Sequence, residues 1–110
     1  MDKLNLYRSI LQGFLAEYAK DVVAGQAPGQ VVFDHKNDHY LYINVGWQSE
    51  SFYYHVSFHF DIIDGKIWIQ QNNTEILIAD ELVQRGIAPA DIILGCQPIY
   101  AREHSNFSVA

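Results

Sequence analysis

With 110 residues, 49% of them hydrophobic and 14% aromatic, the chain carries enough apolar material to exclude disorder and suits one folded domain, expected over residues 1–110. Thirteen acidic against seven basic residues give a formal net charge of −6, and the bases (Lys3, Arg8, Lys20, Lys36, Lys66, Arg85, Arg102) are scattered. That balance disfavours a nucleic-acid footprint, which needs clustered Lys and Arg to displace counterions, and suits docking onto a basic partner.

The one cysteine, Cys96, excludes an intramolecular disulfide and a Cys-rich zinc site, and no neighbouring base activates its thiol. No apolar run reaches signal-peptide length or the ~20 residues of a bilayer span, so a cytoplasmic protein is expected. Leu4 to Val22 repeats apolar residues at helical spacing (Leu4, Tyr7, Leu11, Phe14, Tyr18, Val22), with Asp2 placed to cap the start. Ala24 to Gln30, with its two glycines and a proline, reads as a turn.

Four strand-like runs follow: Gln30–Asp34, His39–Gln48, Phe52–Ile63 and Lys66–Gln71. His39–Gln48 alternates Tyr40, Tyr42 and Asn44 against Leu41, Ile43, Val45 and Trp47. Asp64-Gly65 is a two-residue hairpin link, since both central positions favour positive φ. Short links between sequential strands imply an antiparallel meander. Beyond it, Ala79–Arg85 reads as a helix closed by Gly86, and Ala88–Ile93 as a short helix with Pro89 in its first turn. The tail from Gln97 to Ala110 reads as irregular or a short strand, docked on the body through Phe107 and Val109. The expected fold is α+β: an N-terminal helix, a four- to five-stranded meander and one or two short C-terminal helices.

The chemistry of interest lies in YHVSFHFD, Tyr54 to Asp61. On a regular strand His55, Ser57, His59 and Asp61 share one face, and Tyr54, Val56, Phe58 and Phe60 the other. His55 and His59 are then ~13 Å apart and cannot share a zinc ion, and His59 with Asp61 needs a further ligand from a neighbouring strand. Ser57, His59 and Asp61 have the residue types of a nucleophile, a base and its orienter, but a flat run lacks an elbow or oxyanion donors. Their ordinary reading is the polar side of a sheet. Tyr40, Tyr42, Tyr53 and Trp68 form an aromatic outer surface suited to a protein interface if their faces coincide. Core packing under a helix is the equal alternative, since sequence does not fix the register. The glycines fit neither a P-loop nor a dinucleotide fingerprint.

Several segments, in order, resemble one family: DKLNLYRSILQGFLAEYA, DHYLYINVGWQ, HFDIIDGKIWIQ, TEILIADELVQRGI, PADIILGC and NFSVA. The likeness is to XisI, the fdxN element excision controlling factor family of cyanobacteria. It rests on Tyr40, Gly46-Trp47, His59-x-Asp61, Asp64-Gly65-Lys66-Ile67-Trp68-Ile69-Gln70, Thr74-Glu75, Gly86, Asp91-Ile92, Leu94-Gly95 and Arg102. Leu77, Cys96 and Ser108 depart from the pattern, and His55 falls at a position it leaves free.

The resemblance implies an accessory role in programmed excision of a DNA element during heterocyst differentiation, with strand chemistry left to a separate recombinase. It also implies a companion, XisH, a nuclease-like protein. The expectation is a regulatory protein acting by protein contact and not an enzyme, with Tyr40, Trp47, His59, Asp61, Lys66, Trp68 and Arg102 as interface or motif residues. No cofactor and no metal are expected, and homo-oligomerisation is compatible with an aromatic sheet face. The alternatives are an enzyme built on His59 and Asp61, or a direct DNA-binding factor.

Overall fold

The computed structural model describes residues 2–21 and 27–110. The helix end expected at Val22 and the start of the turn at Ala24 lie outside the described residues. Helix α1 runs Lys3–Lys20, opened by Asp2, whose carboxylate accepts from the Asn5 N–H at 2.8 Å. Its buried stripe is Tyr7, Leu11, Phe14 and Leu15.

Five strands follow in spatial order β1-β2-β3-β4-β5: Gly29–Asp34, His39–Gln48, Ser51–Ile63, Lys66–Asn72 and Ile92–Ile93. The first four form the expected antiparallel meander, and β5 joins β4 in parallel. Asp64 (φ 52) and Gly65 (φ 76) make the tight β3–β4 link, both at positive φ as the dipeptide requires. Helix α2, Ile78–Gln84, carries the chain across from β4 and stops before Gly86 at φ 117.

The short helix expected over Ala88–Ile93 is corrected. Only Pro89–Asp91 coils, as a single 3-10 turn, and Ile92–Ile93 extends as β5. Both isoleucines are fully buried, and pairing with Ile67 and Trp68 satisfies their backbone where a helix would not reach the sheet. Part of the tail coils as α3, Ile99–Arg102, and Ser108 then bridges to Ile93.

The core lies on one face of the sheet, beneath α1 and α2. Tyr40, Phe58, Phe60, Ile67, Ile69 and Ile92 from the strands meet Leu11, Phe14, Leu15 and Leu82. Aromatic edges lock α1 down: Phe14 and Tyr18 pack on Phe58 at 5.2 and 5.0 Å between ring centroids, and Tyr18 on Tyr42 at 4.9 Å. Each such buried side chain stabilises the fold by about 1.5–3 kcal/mol. The opposite face is left open by α1 and α2, and at its β4 side Arg102 of α3 reaches the Trp68 ring.

Two bulges break the strand alternation. Tyr42 pairs with Phe58 but Ile43 with Val56, which leaves Ser57 extra in β3; His59 pairs with Gln71 but Phe60 with Ile69, which leaves Gln70 extra in β4. The first bulge overturns the expected single face for YHVSFHFD. Directly paired residues share a face. His55 therefore sits with Asn44 on the helix side, while His59 and Asp61 sit with Leu41 and His39 on the open side. Tyr54 and Val56 likewise part company with Phe58 and Phe60.

Candidate functional site on the open face of the sheet

The open face holds a polar cluster built by adjacent strands. Antiparallel pairing puts His39 of β2 opposite Asp61 of β3, with His59 two residues before Asp61 on the same side. The Asp61 carboxylate receives both rings on one oxygen: His39 Nδ1 at 2.6 Å and His59 Nε2 at 2.8 Å. Its second oxygen accepts from the Gln70 amide at 3.2 Å, a reach the β4 bulge makes possible.

A carboxylate can only accept, so His39 donates from Nδ1 and His59 from Nε2. Burial pushes the Asp61 carboxyl up, but hydrogen bonds from His39 and His59 outweigh it and hold Asp61 below the ordinary carboxylate range. The same bond raises His39 above the usual imidazole value, against a smaller effect of burial. Exposure grades outward, from a 12% exposed Asp61 side chain through His59 at 31% to His39 at 47%. The carboxylate is thus a fixed base on which two solvent-reachable rings are mounted.

The remaining expected residues separate into structural and exposed sets. Tyr40 is fully buried on the helix side; its hydroxyl donates to Asp38 at 2.9 Å, and burial, then Asp38, push it up to about 12. Arg8 clamps the same Asp38 with two hydrogen bonds at 2.8 and 3.0 Å, tying α1 to the β1–β2 turn. Lys66 and Arg102 fasten the tail. The Lys66 ammonium donates to the Ala110 carbonyl at 2.6 Å. The Arg102 guanidinium donates to the carbonyls of Leu94 and Gln97 and lies 5.3 Å from the Trp68 ring. Trp68 is opposite Asp61 and so borders the cluster.

Trp47 is 68% exposed and packs edge-on against Phe52 at 5.3 Å. The faces of Tyr40, Tyr42, Tyr53 and Trp68 do not coincide: pairing with Phe60, Phe58 and Gly46 puts the three tyrosines on the helix side, where Tyr40 and Tyr42 join the core, so the shared outer surface is corrected. The open face instead displays Trp47, Phe52 and Tyr54, with Leu41, Ile43, Val45 and Val56 half-buried between them and the cluster. These aromatics sit on an arm. β1 pairs with β2 only as far as Asn44 and β4 with β3 only from Phe58, so Val45–Gln48 and Ser51–Val56 form a two-stranded extension beyond both neighbours.

The Ser57-based catalytic arrangement also fails. Ser57 is buried and its hydroxyl donates to Asn44 at 2.5 Å, on the face away from His59 and Asp61. Asn44 in turn donates to the Ala27 carbonyl at 2.9 Å, and His55 lines a cleft beside Asn44, Ser57 and Thr74. His39, Gln70, Phe52 and Tyr54 were missed by the sequence reading; only the strand register brings the first two to Asp61.

The family described as XisI protein matches residues 1–109. A solved XisI-like protein from Anabaena variabilis is 41% identical, covers 97% of this chain and 99% of its own, and superposes with a TM-score of 0.89. The fdxN element excision controlling factor XisI from the same organism is 31% identical, covers 99% of this chain and all of its own, and superposes at 0.84. No curated protein matches the chain. On sequence and fold together, the chain belongs to the XisI family.

Proposed function

We propose that this protein is a non-enzymatic accessory factor of element excision that acts by docking, through the open face of its sheet and the aromatic arm, on an XisH-like nuclease-related partner. The observation that carries this reading is the arm: a hairpin extension with Trp47, Phe52 and Tyr54 at 68, 54 and 67% exposure, free of neighbouring strands. Isolated two-stranded hairpins are marginal in water, and large aromatics near the centre of an interface carry much of its affinity. A net charge of −6 would speed encounter with a basic nuclease surface and cover its DNA-contacting side chains. Direct DNA binding is disfavoured because Lys3, Arg8 and Arg85 are spent in ion pairs and Lys66 and Arg102 on carbonyls of the tail. No helix among the described residues is long and apolar enough to cross a membrane, in keeping with work in the cytoplasm beside DNA.

The test is co-purification with an XisH-like protein at low salt, where electrostatic association is strongest. A complex is expected with the native chain, and a Trp47→Ala, Tyr54→Ala double variant should lose it while keeping its fold. A native chain that elutes free of the partner would falsify the reading. A second copy of this chain covering the arm instead would show as a dimer by light scattering and redirect the surface to self-association.

A further inference from the structure

We propose that His39, His59 and Asp61 bind one divalent late-transition-metal ion, with zinc as the reference case, on the open face of the sheet. The ligand atoms are already convergent: one ring nitrogen from each histidine and a carboxylate oxygen lie within 4.8 Å of one another. Around an ion with bonds of ~2.0–2.2 Å such atoms sit ~3–3.5 Å apart. The two ring nitrogens, 2.6 and 2.8 Å from the Asp61 oxygen, would each draw back from it by roughly half an ångström as the ion enters, while the rings approach one another by about an ångström. Strand spacing keeps His55 and His59 from sharing an ion and leaves His59 and Asp61 in need of a ligand from a neighbouring strand. The bulge at Ser57 removes His55 to the other face, and strand pairing supplies His39 in its place.

The donor set selects the ion class. Two imidazoles and one carboxylate suit zinc and its neighbours, whereas calcium and magnesium call for six or more oxygens. All three ligands stand on paired strands, which fix their spacing better than a loop would. Gln70 holds the oxygen of Asp61 that faces away from the histidines, the outer-shell support that orients a ligating carboxylate. Three protein ligands on an exposed face leave a fourth position for water or for a group from another molecule.

The proton balance is simple. Without the ion, each ring donates an N–H to Asp61. On binding, each must offer a lone pair at that atom, so a neutral ring moves its proton to its other nitrogen through water. A doubly protonated ring releases one proton to solvent. This inference does not rest on the docking reading, since an ion is bound or not whether or not a partner exists.

The experiment is calorimetric titration of the full chain with Zn2+ near neutral pH, alongside His39→Gln, His59→Gln, Asp61→Asn and, on the other face, His55→Gln. One ion per chain is expected, with affinity reduced at least about tenfold by His39→Gln and by His59→Gln and changed less than about twofold by His55→Gln. Circular dichroism melts certify the fold; should the buried Asp61→Asn variant unfold, the two histidine variants still decide. No one-to-one binding, or binding that His39→Gln and His59→Gln leave at the native level, overturns the proposal.

Discussion

The β2–β3 hairpin is two structures in one. Below Ser57 it is clamped: β1 and β4 flank it, α1 covers one face, and Phe58 and Phe60 are fully buried. Above Ser57 the same two strands continue with neither neighbour and with aromatic side chains in solvent. Propensity does not distinguish them, since both halves are rich in β-branched and aromatic residues. The difference is tertiary cover, and so the two halves should answer differently to the same kind of substitution.

The largest effect is expected in the base. Phe58→Ala removes a ring that touches Phe14, Tyr18 and Phe60 and leaves a cavity that α1 cannot collapse into. Urea unfolding should register a loss of about 3–5 kcal/mol. A loss below about 1 kcal/mol would mean the base is no better packed than the arm.

The bulge that divides the halves is next. Asn44→Ala deletes a buried amide that joins Ser57 to the Ala27 carbonyl, stranding both partners. A cost of about 1–3 kcal/mol is expected, against about 1 kcal/mol for Ser57→Ala. Similar costs for the two would show that the bulge is held by the Ser57–Asn44 bond alone and not by the wider link to Ala27.

Cover of the base also depends on how α1 is held at its start, where the Tyr7 hydroxyl and the Lys3 ammonium both bond Asp91, at 2.5 and 2.7 Å. Burial raises the Asp91 carboxyl, yet Lys3 and Tyr7 outweigh it and hold Asp91 below its ordinary 3.8. A carboxyl depressed in the folded state contributes stability that is present above 3.8 and is lost as pH falls through the folded value. Asp91→Asn should therefore cost about 1 kcal/mol near neutrality. The native and variant stabilities should converge in acid, as read from denaturation at a series of pH values. A gap that persists unchanged below pH 3.8 would assign the loss to shape and not to charge.

These contrasts mark what the sequence makes legible. The strand limits are plain because Asp64-Gly65 and the polar turns punctuate them, and α1 because its apolar stripe runs unbroken from Leu4 to Tyr18. The site is not legible, for a reason of register. Counting out from the Gln48–Ser51 pair without interruption sets Phe60 opposite His39 and turns His59 and Asp61 to the other face; one extra residue at Ser57 brings Asp61 opposite His39 instead. Nothing local announces that bulge, because what stabilises it is Asn44, thirteen positions earlier on the neighbouring strand. Ile92 and Ile93 fail for a related reason: a parallel pair is fixed only by the strand it joins, many residues away.

The smallest effect on stability belongs to the arm, and it sharpens the comparison most. Trp47 touches chiefly Phe52, and its ring is mostly in water, so Trp47→Ala leaves no cavity in the core. Its cost in urea unfolding should stay within about 0.5 kcal/mol, although the side chain removed is larger than that of Phe58. Amide hydrogen exchange should show the same division without any mutation. Gly46–Val56 should exchange by local opening, well before His39–Tyr42 and Phe58–Phe60, because the arm's outer backbone groups have no strand beside them. Equal protection in both halves of the free chain would mean the arm is already covered in solution, and size measured under the same conditions would then report a second copy.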